Sequence, residues 1–132
     1  MSMDGQEFQF DFEKLHVYQN ALEFIDLIFG MCKKMGNEYK SSIADQLQRA
    51  GVSISTNIAE GCGKLSRREK IRYFSYALDS AKECIPPLTI AHRQGQIREE
   101  DAHAARDKCT GICKMLGKLI RTVEDQELKR GM

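Results

Sequence analysis

Apolar positions along the chain recur at steps of three and four, and over no stretch of strand length do they alternate with polar ones. Helices are therefore the predicted elements throughout. The first should run from about Leu15 to Met35, with Leu15, Tyr18, Leu22, Ile25, Phe29 and Cys32 along one face. Asp11 stands where a cap would start it, and Gly36-Asn37 is a stop signal. The second should run from about Tyr39 to Glu60 on a stripe of Ile43, Leu47, Ala50, Ile54 and Ile58, ended by Gly61 and Gly63. Gly51 falls inside it, where glycine costs roughly 1 kcal/mol against alanine. A close helix contact at Gly51 would explain that cost.

The third helix should begin at Ser66 as N-cap, with Glu69 completing a capping box. Ile71, Phe74, Leu78, Ala81, Ile85 and Leu88 carry its stripe straight through Pro86 and Pro87. The two missing amide donors predict a kink near Lys82–Glu83. The alternative is a helix that stops at Cys84, followed by a short new one. Gly95 closes the segment. The fourth helix should start near Arg98, where Glu99, Glu100 and Asp101 favour the positive end of its dipole and Lys114, Lys118 and Arg121 the negative end. Its stripe is Ala102, Ala105, Cys109, Ile112, Leu116, Leu119 and Val123. Four helices of similar length with short connections pack best as an antiparallel, up-down-up-down four-helix bundle. Residues 1–132 make one all-α domain, with an ordered core over about 12–125 and ends, 1–10 and 126–132, that look frayed. Leu22, Ile25, Leu47, Ile54, Phe74, Leu78, Leu116 and Leu119 are the expected core.

Two helices carry more apolar surface than one seam needs. The first has a second stripe, Phe24, Leu27, Ile28 and Met31, about 100° around from the Ile25 stripe. The third adds Tyr73, Tyr76, Ala77 and Cys84. A broad face can serve two neighbouring helices. It can also be a subunit interface, because large apolar patches on small soluble proteins find partners. The expectation is a symmetric homo-oligomer with Phe24, Leu27, Ile28 and Met31 at its interface, a dimer being the commonest such assembly.

Composition narrows the picture. The chain has 42% hydrophobic and 30% charged residues and a net charge of +1. Glu23, Asp26 and Lys33 interrupt its most apolar stretch, so no membrane span is expected. The acidic beginning (Asp4, Glu7, Asp11, Glu13) lacks the order of a signal peptide, which points to the cytoplasm. Five cysteines without a Cys-x-x-Cys spacing fit reduced thiols there. A dedicated nucleic-acid binder is usually far more basic, but Lys64, Arg67, Arg68, Lys70 and Arg72 cluster against the single acid Glu69. That cluster is either a solvated helix start or a nucleic-acid patch.

No enzyme signature accompanies these elements. Cys109 and Cys113 stand one helical turn apart, yet no histidine among His16, His92 and His103 has a spacing that completes a metal set. Gly61-Cys62-Gly63-Lys64 lacks the longer spacing of a phosphate loop, and no local triad signature occurs. Neither cofactor nor metal is expected. The distinctive segment is residues 46–61. It is a poor helix former, rich in Gly, Val, Ser, Thr and Asn, and it sets Arg49, Ser53, Thr56, Asn57 and Glu60 on one polar face. Arg49 and Glu60 are too far apart along the helix to pair directly. At a buried contact they would need partners, such as Glu83 for Arg49, or another subunit.

This segment resembles the core motif, Q-L-x-R-A-x-x-S-I-x-x-N-I-A-E-G, of the four-helix-bundle proteins encoded in intervening sequences of bacterial 23S ribosomal RNA genes. Gln46, Leu47, Arg49, Ala50, Ser53, Ile54, Asn57, Ile58, Ala59, Glu60 and Gly61 match it position for position. Phe12, Leu15, Val17, Tyr18 and Gln19 match the family's N-terminal pattern, and Ser80 and Glu83 its later G-S-x-x-E element, in which Asp79 replaces the glycine. The resemblance implies a left-handed antiparallel bundle and a homopentamer. A distant relative, the accessory protein of diversity-generating retroelements, is basic and binds a reverse transcriptase and nucleic acid; this chain is nearly neutral. The resulting expectation is a non-enzymatic oligomeric scaffold or adaptor, pentamer before dimer, with an RNA or protein partner and Gln46, Arg49, Ser53, Asn57, Glu60 and Glu83 at its contact. Direct RNA or DNA binding through residues 64–72 is the alternative.

Overall fold

The three-four periodicity folds into helices that bury their stripes on one another. The structure is a computed structural model that describes the backbone of residues 7–131 and the side chains of residues 7–126. A 3-10 turn, Asp11–Lys14, leads into α1 (His16–Lys33). A helical turn at Asn37–Tyr39 and a π-helical turn at Lys40–Ala44 lead into α2 (Asp45–Gly63). Then come α3 (Arg67–Glu83), α4 (Ile85–Arg93) and α5 (Glu99–Gly131). No strand occurs among the described residues. With α3 and α4 as one interrupted rod, the protein is an all-α arrangement of four helical rods. α2 packs against α1 and α3, and α5 against the same two.

The helix boundaries follow local chemistry. Ser66 caps α3, its hydroxyl accepting from the Glu69 amide at 3.1 Å, as the capping box predicts. α3 stops at Glu83, and Cys84 remains in right-handed helical conformation (φ −71°, ψ −25°), so the interruption is a single turn. The break, not the kink, is what forms. It places Pro86 and Pro87 in the first turn of α4, where their absent amides would have had no intrahelical partner. Gly95, at φ +70°, ends α4: its amide donates to His92 O at 3.0 Å and the Gln96 amide to Ala91 O at 2.9 Å. The ends expected to fray lie partly outside the described residues, at 1–6 and 132; α5 continues helical to Gly131.

The core confirms the stripes of α2 and α5 and corrects that of α1. Leu47, Ala50, Ile54 and Ile58 are buried on α2, and Ala105, Cys109, Ile112, Leu116 and Val123 on α5. On α1 the buried residues are Val17, Ala21, Phe24, Ile28, Met31 and Cys32. Phe24 and Ile28 are fully enclosed, so they and Met31 are core and not a subunit interface. Leu22 and Phe29, expected inside, are 41% and 37% exposed, and Ile25 is half-buried. Leu27, the remaining member of the proposed interface stripe, is 42% exposed on the opposite flank. The reason is rotational. Apolar residues wrap more than half of α1, and its polar arc (Gln19, Asp26, Gly30, Lys33) lies across from Val17, Phe24 and Ile28. α3 is similarly turned: Phe74, Ala77, Ala81 and the intervening Cys84 are buried, while Leu78 on α3 and Leu119 on α5 are half-buried.

Two glycines set how closely rods approach. A Cβ on Gly51 would lie 3.2 Å from Ile28 Cδ1, the close contact its mid-helix position implied. On Gly61 it would lie 2.6 Å from Phe74 Cε1, so the ring of Phe74 occupies the space a side chain would need.

Candidate functional site

The polar face of α2 exists, and it divides in two. Gln46, Arg49 and Ser53 line an open groove with Ala50, Glu83, Pro86 and Pro87, where α2 meets the α3–α4 break. The structure thus brings four of the predicted contact residues (Gln46, Arg49, Ser53, Glu83) to one groove. The charges do not cross it. Arg49 Nε reaches Asp45 Oδ2 one turn back on its own helix, at 3.0 Å, with its side chain 80% exposed. Glu60 pairs with Lys64 at 3.7 Å, away from the groove. Glu83 has no ion pair among the described residues, so the Arg49–Glu83 pairing does not form. A partner at i+4 costs less ordering than one across a groove.

The hydroxyls do cross. Ser53 Oγ lies 2.8 Å from Ser80 Oγ on α3, and Asn57 Nδ2 donates to Ser53 Oγ at 3.0 Å and to Ser53 O at 2.9 Å. Ser80 is the one buried polar side chain among the described residues. This small network pins α2 to α3, and it gives the Ser53, Asn57 and Ser80 motif positions a structural reason.

The basic cluster of residues 64–72 is split by the fold. Lys70 donates to the carbonyls of Gly61 and Cys62, at 3.4 and 3.1 Å, and so closes the end of α2. Lys64 sits 4.9 Å over the Tyr73 ring. Arg72 donates to Tyr76 Oη at 2.8 Å, pairs with Glu69 at 3.4 Å and lies 5.6 Å over the Tyr76 ring. Arg67 Nε is buried without a hydrogen-bond partner among the described residues, and Arg68 is exposed. Sequence spacing missed the aromatic half of this cluster, because Tyr73 and Tyr76 read as apolar stripe. Their rings meet edge-on at 5.6 Å and hold the two cations on the surface of α3.

The remaining chemistry-bearing groups are quiet. Cys109 donates to Ala81 O at 3.1 Å and Cys84 to Ser80 O at 3.4 Å, across and along the α3–α5 seam. Burial pushes the Cys109 thiol up to about 12 and the Cys32 thiol up to about 11, and it raises Cys84 and Cys113 as well. Such thiols are poor nucleophiles. Among the described residues no three His, Cys, Asp or Glu groups converge as metal ligands, and no helix is long and apolar enough to cross a membrane. His92 and His103, on consecutive helices, meet with Arg106 at a shallow cleft between α4 and α5.

A larger exposed feature lies on α1 and α2. Phe29 and Val52 line an apolar groove with Gln48, Arg49, Ser53 and Thr56. Leu22 stands two turns before Phe29 on the same side of α1, and the three residues are 41%, 37% and 42% exposed (Leu22, Phe29, Val52).

Known proteins agree with this architecture. No curated protein matches the chain. The chain is similar to a crystal structure from Bacteroides thetaiotaomicron VPI-5482, described as a protein with unknown function from the S23 ribosomal protein family. The similarity has 31% identity and a TM-score of 0.74, over 80% of this chain and 95% of that one. The profile of the 23S rRNA-intervening sequence proteins matches residues 13–118, and with the Gln46–Gly61 motif inside that span the chain belongs to this family.

Proposed function

We propose that the protein is a non-enzymatic, homo-oligomeric helical scaffold or adaptor of the cytoplasm, one that associates with ribosomal RNA, an RNA-processing protein or a reverse transcriptase. The observation that carries the assembly is the exposure of Leu22, Phe29 and Val52, which the described residues leave uncovered. A pentamer is the first expectation, by family resemblance, and a dimer the second. We read the four rods as antiparallel, up-down-up-down and left-handed. The up-down order draws support from the cyclic packing of neighbours and from Gln96 Oε1, which accepts from the Gly36 amide at 2.9 Å and ties the loop after α1 to the loop before α5; the left hand rests on the family resemblance. Light scattering tests the assembly. Wild type at tens of micromolar should be oligomeric and Phe29→Asp smaller, with unchanged helicity. A monomeric wild type refutes the scaffold reading.

A second reading, direct binding of RNA or DNA, draws support from the Lys64, Arg72, Tyr73 and Tyr76 cluster, where cations and aromatic rings share one exposed surface. Binding through several phosphates must weaken steeply as salt rises. No detectable affinity for structured or single-stranded RNA at low salt refutes it.

A further inference from the structure

The segment before the first helical turn is aromatic, and its outer rings are exposed among the described residues. Phe8, Phe10 and Phe12 alternate with Glu7, Gln9 and Asp11. In extended backbone alternate residues share a side, and Phe10 itself is extended (φ −75°, ψ 155°). The result is a ladder of rings. Phe8 meets Phe10 edge-on at 5.2 Å, Phe10 stacks on Phe12 at 5.8 Å, and Phe12 meets Tyr18 of α1 edge-on at 5.1 Å. Its inner end is half-buried against the bundle. Its outer end is bare, with Phe8 76% and Phe10 56% exposed. Two adjacent phenylalanines held together in water are an unusual surface for a chain of this size.

We propose that this aromatic arm seats in the apolar groove of Phe29 and Val52 on a second copy of the chain. The inference rests on the oligomeric reading and adds to it the element that makes the contact. Three observations select this occupant. Both surfaces are apolar, and the described residues of their own chain leave both uncovered. The charges complement: Glu7 and Asp11 flank the rings, and Arg49, at the groove's edge, is mostly exposed with guanidinium donors beyond the one it gives Asp45. In its own chain the arm lies off that groove: neither Phe8 nor Phe10 lines it, and both rings stay exposed.

The test uses the full chain. Position 10 carries p-benzoylphenylalanine in place of Phe10, and chains labelled with nitrogen-15 are mixed with unlabelled ones before irradiation. Cross-links joining heavy to light chains, mapped to residues 22–29 or 48–56, are the expected result. Phe8→Ser/Phe10→Ser should leave the helical circular dichroism unchanged and raise the dissociation constant of the assembly by about 100-fold, the factor for re-exposing two such side chains. Arg49→Glu should weaken it too. An oligomeric wild type whose cross-links map elsewhere, or whose double variant assembles as before, overturns the arm and leaves the scaffold reading standing. Cross-links within single chains only also overturn the arm. A wild type that is monomeric and forms no heavy–light links overturns both.

Discussion

Gly61→Ala should destabilise the protein although it improves the helix. Alanine in place of glycine inside α2 gains about 1 kcal/mol of intrinsic propensity. The new methyl would stand 2.6 Å from Phe74 Cε1 and 2.7 Å from Cδ1, inside any real carbon contact. The obstacle is an aromatic ring 3% exposed in the α2–α3 contact, not the free end of a flexible chain. Overpacking of this kind costs about 1–3 kcal/mol, which leaves a net loss of up to about 2 kcal/mol, from a total that is typically about 5–15 kcal/mol. Gly30 and Gly111 provide the controls, since a Cβ at either meets nothing within 4 Å. Gly30→Ala and Gly111→Ala should each gain about 0.5–1 kcal/mol. Urea unfolding followed by circular dichroism measures all three. A cycle completes the argument: Phe74→Leu removes the ring, so Gly61→Ala should cost less in that background, with a coupling of about 1 kcal/mol or more. If Gly61→Ala stabilises as much as the controls, steric contact with Phe74 is not why glycine stands there. Additivity in the cycle would refute the same point.

Four further outcomes follow from the structure. A thiol reagent under native conditions should modify Cys62 and Cys113 first, and Cys32, Cys84 and Cys109 only at the rate of unfolding; equal rates for all five would contradict their burial. Because the folded thiols of Cys32 and Cys109 are pushed up to about 11 and about 12, the unfolded chain ionises first. Their contribution is intact below an ordinary cysteine value near about 8.5 and is lost as pH rises toward their folded values. Unfolding midpoints should therefore fall above about pH 9, and a flat profile to pH 11 would refute it. Ser80→Ala should cost about 1 kcal/mol by removing the cross-helix hydroxyl pair with Ser53, and an unchanged midpoint would show that Ser53 is satisfied by Asn57 alone. Ser66→Ala should cost about 1 kcal/mol as the loss of the α3 cap, read as a lowered melting temperature; no change would mean the first turn is held by other contacts.

The sequence by itself determined the helical class, the number of rods, the cap at Ser66, the stop at Gly95 and the buried stripes of α2 and α5. These depend on backbone donors, side chains within one turn, and faces where apolar and polar residues separate cleanly. The motif of residues 46–61 was legible too, as was the tight fit implied by Gly51. Tertiary structure decided the rest. Apolar residues wrap most of α1, so its periodicity admitted two rotations, and only the neighbouring helices chose Phe24 and Ile28 over Leu22 and Phe29. The placement of Gln19, Asp26 and Lys33 was the available signal, outweighed by the larger count of bulky residues on the wrong flank. At Cys84 the break won over the kink because Pro86 and Pro87 need no amide partners in the first turn of a helix. Arg49 and Glu60 turned to Asp45 and Lys64 because a charge one turn away is reached with less ordering than one across a groove. The hydroxyls of Ser53 and Ser80, brought to 2.8 Å by the contact of α2 with α3, bonded between helices, a pairing that only the packing could set.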